Sequence, residues 1–112
     1  MMKKTLKKSK KYPQIQRKIP LPKGKQLMAI AGEFNGGSRL KVLCEDGEVR
    51  MGRIPGKLKR RMWIKEGDLL IVEPWVIQSK EKCDIKYRYT KTQRIRLSLK
   101  NRIPVILEGL NI

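Results

Sequence analysis

Residues 39–54 read RLKVLCEDGEVRMGRI, and the fold turns on how this stretch is read. From Arg39 to Cys44 the chemistry alternates. Leu40, Val42 and Cys44 fall on one side, and Arg39, Lys41 and Leu43 on the other. Successive side chains of an extended chain point to opposite faces, so this period of two marks a half-buried strand. Asp46-Gly47 follows, a dipeptide whose glycine supplies the positive φ of a tight hairpin turn. Glu48–Ile54 then returns as the partner strand and is stopped by Pro55-Gly56.

Further strands lie on either side of this hairpin. Gln26–Glu33 is an apolar run that closes near Asn35-Gly36-Gly37, a loop signal. Downstream, Glu66-Gly67-Asp68 reads as a turn before the fully apolar Leu69–Val72, which Glu73-Pro74 closes. Ile85–Tyr89 alternates again, with Ile85, Tyr87 and Tyr89 opposing Lys86 and Arg88. The expected class is all-β: five short strands, the first three meandering. Lys57–Trp63 forms a short helical insert or basic loop after strand three. This order suits a five-stranded OB-fold barrel, which closes to remove unpaired edges. An SH3-like barrel is the nearest competitor that the pattern leaves open. After Thr90 the character changes. Thr90 with Gln93 three residues on is a capping-box signature, so a short helix is expected from about Thr92. Ile95, Leu97 and Leu99 recur at a spacing of two, which is not helical, and Pro104 breaks the segment. An irregular tail is expected beyond it.

Charge divides the 112 residues in the same places. Residues 1–25 carry ten Lys/Arg and no acid, 26–89 carry thirteen against nine acids, and 90–112 carry five against one. The expected organisation is a disordered basic arm (1–25), a barrel domain (26–89) and a C-terminal helix or tail (90–112). Self-repulsion and the lack of apolar periodicity speak for disorder in the arm. A net charge of +18 points to a polyanionic partner, nucleic acid before membrane. The longest apolar runs are four or five residues, far short of the roughly 20 that span a bilayer. With no membrane span and no apolar run behind the basic N-terminus, the expected setting is the cytoplasm. Cys44 and Cys83 are expected as a reduced thiol pair.

The composition speaks against catalysis. There is no His, the usual neutral-pH general base and common metal ligand. Glu45, Asp46 and Glu48 cluster around a tight turn, which explains them without chemistry. No phosphate loop, zinc spacing or calcium loop occurs. The expectation is a non-enzyme with no cofactor and no metal.

What remains is a binding surface. Arg53 to Asp68, RIPGKLKRRMWIKEGD, holds Arg53, Lys57, Lys59, Arg60, Arg61 and Lys65 with Trp63 interleaved. Cations displace counterions from a phosphate backbone. An exposed indole stacks on an unpaired base, but Met62 and Ile64 flank Trp63, and a core plug is an equal reading. Arg39 and Lys41 from strand two, and Lys86 and Arg88 from strand five, project opposite the apolar faces and complete the candidate RNA-binding set. Tyr87 and Tyr89 fall on the apolar side and read as core. Cations far outnumber candidate stacking rings, which favours recognition of folded RNA by backbone and shape.

Three stretches carry a family resemblance: RKIPLPKG (17–24), GGSRLKVLCEDGEVRMGRIPGKLKRRMWIKEGDLLIVEPW (36–75) and KCDIKYRYTKTQ (82–93). They closely resemble translation initiation factor 1A in its archaeal form. The resemblance implies an OB fold that binds the A site of the small ribosomal subunit through rRNA and supports initiator-tRNA placement and start-codon selection. It implies messenger RNA and initiator tRNA nearby, and initiation factors 1, 2 and 5B as partners. The family's rRNA-contacting segment maps onto Arg53, Lys57, Lys59, Arg60, Arg61 and Trp63, with the loop Gly36-Gly37-Ser38-Arg39 beside it. After Gln93 the sequence departs from the family pattern, and the apolar Leu107, Leu110 and Ile112 offer a docking tail. Off the ribosome a monomer is expected. The alternative is a general RNA-binding or RNA-chaperone OB protein without a ribosomal site.

Overall fold

The computed structural model describes residues 19–56 and 63–108. Most of the expected arm, the insert residues 57–62 and the last four residues lie outside the described residues. Five strands occur among those described: β1 (Leu27–Gly36), β2 (Arg39–Cys44), β3 (Val49–Arg53), β4 (Leu69–Pro74) and β5 (Lys82–Arg88). They close in the order β1-β2-β3-β5-β4, with β4 returning antiparallel to β1. The β3–β5 pair is the one parallel contact, through Met51↔Lys82, Gly52↔Cys83 and Arg53↔Asp84. This is the OB order, and it decides against the SH3-like alternative. The predicted hairpin holds: β2 and β3 pair from Arg39↔Arg53 to Leu43↔Val49, around Gly47 at φ +88°. β1 runs further than its apolar run suggests, pairing with β2 as far as Gly36↔Arg39 through two register shifts.

The barrel is packed on both sides of its wall. Inside lie Ala29, Ala31, Leu40, Val42, Ile54, Ile64, Leu70, Val72 and Ile85, with the two free thiols Cys44 and Cys83. Outside, Met28, Ile30, Leu69 and Ile71 form a second cluster with Tyr89, Leu97, Ile103 and Leu107. The second cluster explains why Leu69–Val72 is apolar without alternation. A strand covered on both faces has no solvent side to keep polar.

The lid on that outer face is the C-terminal segment. α1 (Lys91–Leu99) starts one residue earlier than expected. Its Thr90 side chain accepts from the Gln93 N–H, while the Gln93 side chain accepts from the Thr90 N–H. Leu97 is its buried residue, so Ile95 and Leu99 stay exposed and the spacing of two carries no strand. Asn101 at φ +55° turns the chain, and Pro104 opens a second short helix, α2 (Val105–Glu108), rather than an irregular tail. Helices start well at proline because its missing N–H has no partner there anyway. Leu107 is fully buried beneath α2, so it is core and not a docking group.

One sequence expectation fails for a local reason. Ile85, Tyr87 and Tyr89 do not share a face. Val72 pairs with Ile85 but the adjacent Ile71 pairs with Tyr87, so Lys86 is the extra residue of a bulge. A bulge resets the side-chain parity beyond it. Ile85 therefore points into the barrel, whereas Tyr87 and Tyr89 join the outer cluster with their rings edge to face, centroids 5.2 Å apart. Tyr89 donates to the Pro20 carbonyl, tying the N-terminal segment to the wall, and Tyr87 donates to Gln93 Oε1 at 3.0 Å. Burial raises the Tyr89 phenol above its ordinary pKa.

At the lower end of the barrel Arg50 is 4% exposed. It grips Asp46 with two hydrogen bonds of 3.0 and 2.9 Å and donates through Nε to the Ser79 carbonyl. These bonds from Arg50 hold the Asp46 carboxyl below the usual carboxylate range, helped by the Glu48 N–H. A carboxylate depressed in the folded state stabilises above its unfolded pKa of about 3.9, and that stabilisation is lost as pH falls through the folded value. Asp46→Asn is therefore expected to lower the urea midpoint at pH 7, with the gap to wild type shrinking as pH falls below about 3.9. Leu107→Ala is expected to lower unfolding free energy by about 2–4 kcal/mol, the range for emptying a packed apolar site. Val105→Ala, at an exposed position on the same helix, should stay within about 0.5 kcal/mol. Urea titrations of the variants check both.

Candidate nucleic-acid interface

The outer faces of β2, β3 and β5 form one continuous surface, laid out by register. One row runs Arg39–Arg53–Asp84 and the next Lys41–Met51–Lys82. Lys86 lies further along β5, exposed before the bulge resets the strand. Four of the sequence-derived residues, Arg39, Lys41, Arg53 and Lys86, thus come together. Sequence reading missed Lys82, which is on the same face with its Nζ 5.4 Å from the centre of the Trp75 ring. The alternation at Ile85–Tyr89, followed three residues upstream, carries that signal.

The charges on this face are poorly compensated. Arg39 and Arg53 stand directly opposite each other, an arrangement that destabilises a sheet. Asp84 relieves it on one side: it pairs with Arg53 at 3.3 Å while accepting from Trp75 Nε1 at 3.0 Å. Arg53 nevertheless keeps 53% of its side chain exposed. Among the described residues, Arg39, Lys41, Lys65, Lys82 and Lys86 have no carboxylate partner.

The basic insert leaves from the rim of this face. Ile54 donates its N–H to the Ser38 carbonyl and is buried; Ile64, on the far side of the insert, is buried in the same interior cluster. Both ends of the insert are thus fixed to one core. Lys57, Lys59, Arg60 and Arg61, together with the expected short helix, lie outside the described residues. Trp63 is 73% exposed at φ +45°. Of its two readings, the core plug is excluded: the adjacent Ile64 takes the interior place. A bulky residue in the left-handed region costs roughly 1–2 kcal/mol, strain of the kind that collects at functional positions.

Arg88 does not join the face. The bulge sets it opposite Leu70, and it pairs with Asp68 at 3.6 Å. There it lines a groove of about 900 Å³ between the Lys65–Asp68 turn and α1, with Lys65, Lys91 and Arg94. Arg94 spans the groove to the Gly67 carbonyl. No group of three or more His, Cys, Asp or Glu among the described residues could hold a metal ion. None of the described helices is long and apolar enough to cross a membrane.

Comparison with known proteins places this chain in a family. The family model for "Translation initiation factor 1A / IF-1" matches residues 16–108. A translation initiation factor 1A of Picrophilus torridus is 52% identical over 92 residues, which cover 82% of this chain and 84% of the relative. That of Methanococcus aeolicus is 51% identical over 83 residues, 74% of this chain and 79% of the relative. That of Pyrococcus abyssi is 50% identical over 86 residues, 77% of this chain and 76% of the relative. With the closed OB barrel and these matches together, the chain belongs to the translation initiation factor 1A family and has its role in translation initiation.

Proposed function

We propose that the chain occupies the A site of the small ribosomal subunit through rRNA contacts, as a non-catalytic wedge that supports initiator-tRNA placement and start-codon selection. The observation that carries this reading is the single face on which Arg39, Lys41, Arg53, Lys82 and Lys86 lie together, mostly unpaired, at the foot of the insert that bears Lys57, Lys59, Arg60 and Arg61. Cations held by a rigid closed sheet meet phosphates at fixed spacing. Each neutralised phosphate releases counterions and adds about 0.7–0.9 to the salt slope of binding. Trp63, exposed and held by buried Ile64, offers a flat face to one unstacked base. Lys65 and the groove beside it extend the cationic surface toward α1.

The wider reading follows from that position. Messenger RNA and initiator tRNA lie close by, and initiation factors 1, 2 and 5B are the protein partners. The chain works in the cytoplasm, as a monomer until it binds. It has no reaction of its own: without His, and with Asp46, Asp68 and Asp84 engaged in ion pairs, it acts by occupying space and excluding ligands. A general RNA-binding protein would differ in one measurable respect, by binding arbitrary single strands as tightly as small subunits.

Charge reversal tests the face. Lys41→Glu with Lys86→Glu is expected to leave thermal unfolding unchanged, because both side chains are exposed. It should weaken co-sedimentation with small subunits and flatten the salt slope by about 1.5. Arg60→Glu with Arg61→Glu should weaken binding sharply as well. Unchanged binding of both variants at physiological salt removes the site.

Trp63 gives a test with opposite signs. Trp63→Gly relieves the left-handed backbone, so its melting temperature should equal or exceed that of wild type. Its subunit affinity should nevertheless fall by about 1–3 kcal/mol, the worth of a base stacked on a ring. Loss of stability together with unchanged affinity would make Trp63 a structural residue.

A further inference from the structure

The tip of the β1–β2 hairpin carries a reactive dipeptide that the binding surface leaves unused. Asn35-Gly36 is the single Asn-Gly pair of the chain. Asn35 is the extra residue of a bulge: Phe34 pairs with Leu40 and Gly36 with Arg39, so Asn35 has no partner across the ladder. Its side chain is exposed. Gly36, at φ +127°, has open space where a Cβ would stand, so nothing hinders approach to its backbone. The Gly36–Arg39 pair is also the last before the Gly37-Ser38 turn, at the end of a ladder where local opening costs least.

An amide carbonyl followed by an unhindered backbone nitrogen can react with it. The Gly36 nitrogen gives up its proton and attacks the Asn35 side-chain carbonyl carbon. The new C–N bond closes a five-membered succinimide, the bond to the side-chain nitrogen breaks, and ammonia leaves with the proton. Water then opens the ring at either carbonyl. One opening gives aspartate. The other gives isoaspartate, in which the main chain runs through the side-chain carbon. Water is the only co-reactant.

Two similar sites in the chain are blocked. Asp46-Gly47 has the same ring-closing spacing, but Gly47 donates its N–H to the Cys44 carbonyl at 2.9 Å, and Arg50 holds the Asp46 carboxylate with two hydrogen bonds. Asn101 precedes Arg102, whose N–H donates to the Leu97 carbonyl at 2.9 Å. In both, the attacking nitrogen is engaged elsewhere.

We propose that Asn35-Gly36 is a self-modification site: it deamidates, and the acid formed weakens the chain's hold on rRNA. The new carboxylate stands one residue from the Gly36–Arg39 pair and gives the unpartnered Arg39 an internal counter-ion. The isoaspartyl form also lengthens the backbone near Ser38, whose carbonyl accepts from Ile54 at the start of the insert. The effect on binding rests on the small-subunit reading above, while the modification stands apart from it.

Ageing the full chain in warm, mildly alkaline buffer tests the site. Peptide mapping should find side-chain NH2 exchanged for OH at residue 35 well before residue 101. An isoaspartyl methyltransferase should label the peptide holding residue 35 and not the one holding Asp46. Asn35→Gln, which needs a larger ring to react, should stay unmodified. Fresh Asn35→Asp should melt with wild type yet bind small subunits several-fold more weakly, with a salt slope flatter by about 0.7–0.9. Aged wild type should bind at least as weakly as Asn35→Asp, and aged Asn35→Gln as tightly as when fresh. Modification no faster at residue 35 than at 101, label first on the Asp46 peptide, or full binding by Asn35→Asp overturns the proposal. If fresh wild type fails to co-sediment with subunits, the functional reading falls, and the mapping alone decides whether the site exists.

Discussion

The parallel seam between β3 and β5 is what the rest of the structure depends on. It is short, three residue pairs from Met51↔Lys82 to Arg53↔Asp84, and it closes the barrel. Its middle residue is a glycine, packed against two interior side chains. A Cβ on Gly52 would lie 2.8 Å from Ile85 Cδ1 and 3.5 Å from Val42 Cγ1. The missing side chain lets Ile85 fill the interior beneath the seam. Closing there also decides what shares the outer surface. Without the β3–β5 pair, Lys82, Asp84 and Lys86 would belong to a separate edge, and Arg53 would face Arg39 with no carboxylate beside it. One backbone contact therefore both completes the core and assembles the cationic face.

The electrostatics follow from the same placement. A chain of +18 must hold like charges close together somewhere, and Arg39, Lys41, Arg53, Lys82 and Lys86 do so on one side of a stiff sheet. The acids are not spread as general neutralisers. Asp84 steadies Arg53 and Trp75, Asp68 takes Arg88, and Asp46 serves the buried Arg50. Each compensates a cation that the fold must hold still. Of the cations on the proposed RNA face, Arg39, Lys41, Lys82 and Lys86 are left without a carboxylate partner. Stability given up by opposing Arg39 to Arg53 would be recovered in the proposed RNA contact, which would favour the bound state over the free one.

Much of this was legible from local pattern. Leu40, Val42 and Cys44 point inward as their alternation says, and the Asp46-Gly47 turn is where the sequence puts it. The capping box at Thr90 announced α1 although the apolar spacing after it did not. That helix buries only Leu97 against the barrel and so needs no amphipathic stripe. What escaped the sequence was set by contacts between distant residues. The bulge at Lys86 exists because β5 must match β4 below it and present Tyr87 and Tyr89 to the outer cluster above. Alternation within five residues holds no trace of that change. Arg50 sits at an inward position where an apolar residue is expected, and its partners are a turn and a loop 29 residues away. The exposure of Trp63 likewise depends on Ile64 claiming the interior, a competition between neighbours that composition leaves even.

The second apolar layer explains how so small a barrel can be stiff enough for such work. A closed sheet of five short strands holds a narrow interior, and here two cysteines and several small side chains occupy part of it. Covering the outer faces of β1 and β4 with α1, α2 and the Pro20 segment adds a comparable apolar cluster on the other side of the wall. The covered strands are those that carry none of the proposed RNA contacts. β2, β3 and the first half of β5 stay bare outside, as a surface that must lie against another molecule requires. The C-terminal segment supplies the residues this lid needs: Leu97, Ile103 and Leu107 are buried, while most positions between them face solvent. Packing against the barrel constrains those three places, on the side of the molecule opposite the cationic face.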